Sequence, residues 1–198
     1  DIKPRDIMTR EAFLNAITTV LALGGSTNAV LHLMAIAYES EVDLSLDDFD
    51  RLSTKVPHLG DMKPFGNYHM VDLDKIGGVP VVLKILLEND LLEGSCLSVT
   101  GKTIGENLES VKIPKSQDVM RFPQNPISSD GGIVIIYGSL SPNGSVMKTA
   151  GIEETQFKGP ANVFDGEQDA LEALFTNKIN KGDVVVIRNE GPKGGPGM

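Results

Sequence analysis

The stretch GGSTNAVLHL, beginning at Gly24, gathers groups suited to holding an anion. Two glycines are followed at once by Ser26, Thr27 and Asn28, where the pattern of apolar residues predicts the start of a helix. Such a start offers backbone N–H groups, two hydroxyls and the positive end of the helix dipole to a carboxylate or phosphate. No Gly-Lys-Ser/Thr follows, so the stretch is not a nucleotide-binding P-loop. The same residues also suit a plain helix–helix corner capped by Ser or Thr.

Other chemistry-bearing residues are more scattered. His32 lies inside the same apolar helix, and its periodicity predicts a satisfied core histidine. His58 and His69 fall in segments expected to be irregular and form no zinc-type spacing. Asp72 with Asp74, and Asp47 with Asp48 and Asp50, suit either a divalent cation or a solvated face. Lys102 and Thr103 in VTGKTIGENL suit either an anion or a turn before a capped helix. The single cysteine, Cys96, excludes an internal disulfide and is expected to be a buried hydrophobe in the strand SCLSVTG. The chain closes on NEGPKGGPGM after the apolar run DVVVIR, a Gly-Pro loop that brings backbone close to a ligand or simply frays.

Composition bounds the partners. The net charge is -9, with 27 acidic against 18 basic residues and no basic stripe, which argues against nucleic acid. No apolar run approaches a membrane span, and the charged beginning DIKPRDIMTR is not a secretory signal. One cysteine fits a reducing, cytoplasmic compartment. With no Trp and 5% aromatics, the core must be aliphatic.

The elements that position these residues read as follows. TREAFLNAITTVLAL is a helix capped by Thr9 and stopped at Gly24, and STNAVLHLMAIAYES is a second, apolar nearly all round, as in helices inside larger bodies. SLDDFDRLST is a third, with Ser45 and Asp48 at capping-box spacing and Pro57 beyond it. An irregular stretch from Pro57 to Gly78 leads to a fourth helix with Pro80 in its first turn. Later come the strands CLSVTG, GIVIIYGSL, SVMKTAGI and DVVVIR, with a hairpin at Asn143-Gly144, and the helices TIGENLES and GEQDALEALFTNK. The change of texture places a boundary near residue 94 in a mixed α/β chain.

Taken together, GGSTNAVLHL, KPFGNYHMVDLDKIGGVPVVLKILLENDLL, SVTGKTIGENL, GGIVIIYGSLSPNGSVMKTAG, FKGPANVFDGEQDALEAL and GDVVVIRNEGPKGGPGM closely resemble the dihydroxy-acid/phosphogluconate dehydratase family. The resemblance covers essentially the whole chain and favours the branched-chain amino-acid branch over the 6-phosphogluconate branch. It implies a hydro-lyase turning 2,3-dihydroxyisovalerate and its methylvalerate homologue into 2-oxo acids, with sugar-acid or 6-phosphogluconate dehydration as the alternative. A third possibility is a non-catalytic swivelling-domain interaction module.

The resemblance also implies an iron–sulfur cluster, of the two-iron (2Fe-2S) or the four-iron kind, and Mg2+. Their ligands are expected outside these 198 residues, and the base serine beyond Met198, so the chain alone is expected to be inactive. Within the chain it implies substrate binding by Gly25, Ser26, Thr27 and Asn28, with Glu190 as a remote candidate for Mg2+. Residues 1–94 would be the mostly helical second half of the cluster-bearing domain. Residues 95–198 would be an incomplete swivelling β/β/α barrel-like domain. The parent is expected to be a cytoplasmic homodimer whose only other partner is a small dihydroxy acid.

Overall fold

A computed structural model describes residues 1–152 and 156–191. The chain forms two compact units, Asp1–Ile152 and Glu153–Met198. The first carries α1 (Pro4–Ile7), α2 (Arg10–Ala22), α3 (Thr27–Glu39), α4 (Leu46–Ser53), α5 (Met70–Lys75), α6 (Val79–Glu88) and α7 (Ile104–Leu108), then β1 (Ile133–Ile136) and β2 (Ser145–Lys148). The second carries β3 (Ala161–Phe164), α8 (Glu167–Phe175) and β4 (Val184–Ile187). The architecture is mixed α/β, with two two-stranded sheets among the described residues.

The expected caps hold the helices in place. Thr9 Oγ1 accepts the Ala12 N–H at 3.3 Å to start α2, and Ser26 Oγ accepts the Asn28 N–H at 3.2 Å to start α3. At α4, the Ser45 N–H donates to Asp48 Oδ2 at 3.1 Å. The helical period puts Phe13, Ile17 and Leu21 on one buried face of α2. That face meets Phe49 of α4, Val82, Ile85 and Leu86 of α6, and Ile133 and Ile135 of β1 in one aliphatic core. Each such side chain contributes about 1.5–3 kcal/mol on burial.

The hairpin forms where the Asn-Gly pair predicts it. β1 and β2 are antiparallel, Ile133 facing Lys148 and Ile136 facing Ser145, and Gly144 takes φ +92° in the turn. In the second unit α8 connects β3 to β4, which pair in parallel from Ala161↔Val184 to Phe164↔Ile187. The strand β3, in the segment ANVF, is an addition to the expected elements.

Three expectations are corrected. CLSVTG is not a strand. Only Leu97 and Thr103 bridge, and the chain turns between them, with the Ser98 N–H on the Lys102 carbonyl at 2.9 Å and Gly101 at φ +81°. Hydroxyls compete for this backbone: Asn107 Nδ2 donates to Ser98 Oγ at 2.8 Å and Thr100 Oγ1 to Asn107 Oδ1 at 3.0 Å. The stretch expected to be irregular contains the short helix α5, started by Asp72 Oδ2 accepting the His69 N–H at 3.0 Å.

His32 is exposed rather than a core residue. Only one side of α3 meets the core, through Val30 and Ala37, while Leu31, Ile36 and Tyr38 on its other side are exposed. Among the described residues no helix is long and apolar enough to cross a membrane.

Candidate functional site

Gly24 and Gly25 turn the chain between α2 and α3, and both are shaped by close neighbours. Gly24 has φ +59°, a left-handed value that favours glycine. A Cβ on it would overlap His58 Nε2, with Cε1 at 2.8 Å and Cδ2 at 3.0 Å. A Cβ on Gly25 would meet Val20 Cγ1 at 2.8 Å and the Val20 carbonyl oxygen at 3.0 Å. Gly132, just before β1, also lies against the corner, since its own Cβ would lie 2.8 Å from Gly24 Cα. The corner is therefore in close contact with both the His58 ring and the backbone leading into β1.

The hydrogen bonds decide what the corner can offer a ligand. The Gly24 N–H donates to the Leu21 carbonyl at 3.0 Å and the Gly25 N–H to the Val20 carbonyl at 2.9 Å. The Asn28 N–H is taken by Ser26 Oγ at 3.2 Å. The N–H groups of Ser26 and Thr27 have no partner among the described residues, and with the Thr27 hydroxyl and the Asn28 amide they remain for an anion. The cradle is thus narrower than the two glycines promise by themselves. Gly25 serves it by letting the backbone pack, with its own donor already used.

Two further groups sit in the same part of the unit. Lys148, the last residue of β2, places Nζ 5.3 Å from the Phe65 ring centroid, and its charge acts on His58. Burial pushes the His58 imidazole below the ordinary histidine value of 6.5. The Gly60 backbone and the Asp61 charge oppose that fall, while Lys148 adds to it. His58 therefore meets the corner as a neutral ring at neutral pH. Neither His58 nor Gly132 stands out in the sequence, because each lies far along the chain from Gly24. The paired glycines at 131 and 132, directly before an apolar strand, were the available signal of close backbone approach.

Several of the remaining candidates are already engaged. Asp48 is buried and pairs with Arg10 at 2.6 Å and Arg51 at 2.9 Å. Asp47 accepts from Tyr137 Oη at 2.8 Å, and Asp72 pairs with Lys75 at 2.8 Å. Thr103 caps α7, accepting the Glu106 N–H at 3.1 Å, so that segment is a capped turn. In the second unit Glu190 Oε1 accepts the Glu167 N–H at 2.8 Å and caps α8. The loop GPKGGPGM lies, apart from Gly191, outside the described residues.

Among the described residues no donor set is complete enough by itself for an iron–sulfur cluster or a magnesium ion. No group of three His, Cys, Asp or Glu residues is placed to hold a metal among the described residues. Cys96 is buried, and its sulfur accepts from Asn15 Nδ2 at 3.4 Å. Burial first, and then the charges of Glu93 and Glu11, raise the Cys96 thiol above its ordinary value, the opposite of what a thiolate ligand needs.

A mainly helical unit with open N–H groups at its α2–α3 corner, joined in one chain to a small βαβ unit, defines a mixed α/β protein. Sequence comparison supplies the rest. The dihydroxy-acid/6-phosphogluconate dehydratase N-terminal model matches residues 1–107, and the corresponding C-terminal model matches residues 118–198. The chain belongs to this family. It is 61% identical over all 198 residues to a protein of Arthrobacter sp. strain FB24, and 60% identical over the same length to one of Mycobacterium leprae. A Renibacterium salmoninarum protein is 59% identical, and all three are named dihydroxy-acid dehydratase. The chain spans 35% of the length of each of these relatives.

Proposed function

We propose that these residues form part of a dihydroxy-acid dehydratase. In this reading the whole enzyme removes water from 2,3-dihydroxyisovalerate and its methylvalerate homologue to give 2-oxo acids for branched-chain amino-acid synthesis. The observation that carries it is the unbroken similarity of about 60% across the full chain to several proteins of that name. In the reaction, C2 loses a proton, C3 loses its hydroxyl as water, and the resulting enol becomes the ketone. The part assigned to this chain is positioning. The N–H groups of Ser26 and Thr27, the Thr27 hydroxyl and the Asn28 amide receive the substrate carboxylate at the start of α3, with Gly25 allowing the backbone to approach.

The finer points belong to the same proposal. The cluster and Mg2+ implied by the resemblance would be held by other residues of the whole enzyme, with Glu190 as a remote candidate on this chain. Residues 1–94 would complete the cluster-bearing domain and residues 95–198 would form most of a swivelling β/β/α barrel, the enzyme being a cytoplasmic homodimer. The exposed apolar side of α3, with Leu31, Ile36 and Tyr38, is the kind of surface that packs against further protein.

The test is a substrate panel on the full-length protein, following 2-oxo acid formation. Turnover of 2,3-dihydroxyisovalerate well above that of 6-phosphogluconate or a sugar acid supports the reading. The reverse order assigns the protein to another branch of the family.

A further inference from the structure

His58 is fixed to the same frame as the corner it touches. Its N–H donates to the Ser128 carbonyl at 3.0 Å, and its own carbonyl accepts the Ile127 N–H at 2.9 Å. The next two N–H groups, of Leu59 and Gly60, both donate to the Ala22 carbonyl at 2.7 and 2.9 Å. Ala22 is the last residue of α2, two positions before Gly24. The ring therefore cannot retreat from Gly24 by a shift of its backbone without breaking bonds to the end of α2. Gly132 also approaches the corner closely, since a Cβ on it would lie 2.8 Å from Gly24 Cα.

We propose that His58 is a positioning residue for the anion-binding corner at residues 24–28. Its neutral imidazole, wedged on Gly24, holds the Ser26 and Thr27 donors in the orientation that receives a carboxylate, and protonation of the ring loosens them. The proposal rests on the reading of that corner as the substrate site. Its physical basis is the space around the ring. A half-buried imidazolium lacks the hydration it needs, and it adds positive charge just ahead of the positive end of α3. The charged groups that act on the ring are Lys148 from β2, which opposes protonation, and Asp61 from its own segment, which favours it.

Two measurements test this separately from the dehydratase reading. The first is a pH titration of the isotope-labelled protein by NMR, from about pH 8 to about pH 5, the range of histidine titration. The amide signals of Gly25, Ser26 and Thr27 should shift with the same midpoint as the His58 ring. That midpoint should lie below the ordinary histidine value of 6.5, and the shifts should vanish in His58→Gln. Corner amides that stay flat through the His58 titration overturn the proposal. This readout needs no catalysis.

The second is the steady-state kinetics of the full-length enzyme. His58→Gln should raise KM for the dihydroxy acid roughly threefold to tenfold with kcat little changed, and should remove the acid-side fall in kcat/KM that tracks the ring. An unchanged KM and pH profile in an active His58→Gln enzyme contradicts the proposal. A wild-type enzyme that dehydrates no dihydroxy acid overturns the dehydratase reading instead, and the NMR coupling is then judged by itself.

Discussion

Asn15 and Glu93 exchange two hydrogen bonds across 78 positions of the chain. Asn15 Nδ2 donates to the Glu93 carbonyl at 2.8 Å, and the Glu93 N–H donates to Asn15 Oδ1 at 2.8 Å. The side-chain amide thus pairs with backbone as a neighbouring strand would, and it fastens the segment after α6 to α2. The same amide group also reaches the Cys96 sulfur.

Asn15→Leu leaves the Glu93 backbone groups without their partners and should destabilise the first unit by about 2 kcal/mol. All three tyrosines, Tyr38, Tyr68 and Tyr137, lie in that unit and there is no Trp, so tyrosine fluorescence in a urea titration reports on it alone. The single cysteine gives a second readout. Cys96 should react slowly with a thiol reagent in the wild type and faster in Asn15→Leu.

Gly24 and His58 should be energetically coupled. Gly24→Ala meets both a left-handed φ and the imidazole, and should cost about 3 kcal/mol or more. Removing the ring with His58→Ala relieves the overlap and leaves the backbone penalty. The double variant should therefore be more stable than the sum of the single effects implies, by about 1 kcal/mol or more. Additive effects in urea unfolding would show that the ring does not occupy that space.

The pH dependence of stability has two components with the same sign. Burial lowers the His58 value in the folded state, so the unfolded chain binds the extra proton first. Stability should fall as pH drops below the ordinary value of 6.5 and should stop falling from this cause below the folded value. For Asp48, burial alone would raise the carboxyl, but Arg51, the Ser45 N–H and Arg10 outweigh it and hold it below its ordinary 3.8. Its contribution is present above that value and is lost as pH falls through the lower folded one. Asp48→Asn should cost roughly 2 kcal/mol at neutral pH and flatten the acid limb, whereas His58→Gln should flatten only the step nearer neutrality. Thermal unfolding of both variants across pH separates the two.

How far these features were legible depends on the range of the signal. The cap at Thr9, the Ser45–Asp48 capping box, the α2 stripe and the Asn143-Gly144 hairpin depend on neighbours a few residues away and appear where the pattern puts them, and of the two capping candidates for α3 it is Ser26 that accepts. CLSVTG has strand-forming residues but no partner strand among the described residues, and the Ser98, Thr100 and Asn107 hydrogen bonds set a turn instead. His32 is exposed although its helix is apolar nearly all round, because only the side of α3 bearing Val30 and Ala37 packs on the core. The corner at residues 24–28 was visible as a motif, whereas the grip of His58 and Gly132 on it comes from tertiary packing that no local pattern encodes.

The measurement that bears most directly on the substrate corner is the KM of Thr27→Val for 2,3-dihydroxyisovalerate in the full-length enzyme. The variant keeps the shape of Thr27 and removes only its hydroxyl. A carboxylate held at the start of α3 predicts a KM raised about tenfold or more, in line with the loss of one hydrogen bond to a charged group, and a much smaller change in kcat. An active Thr27→Val enzyme with wild-type KM would place the substrate carboxylate elsewhere.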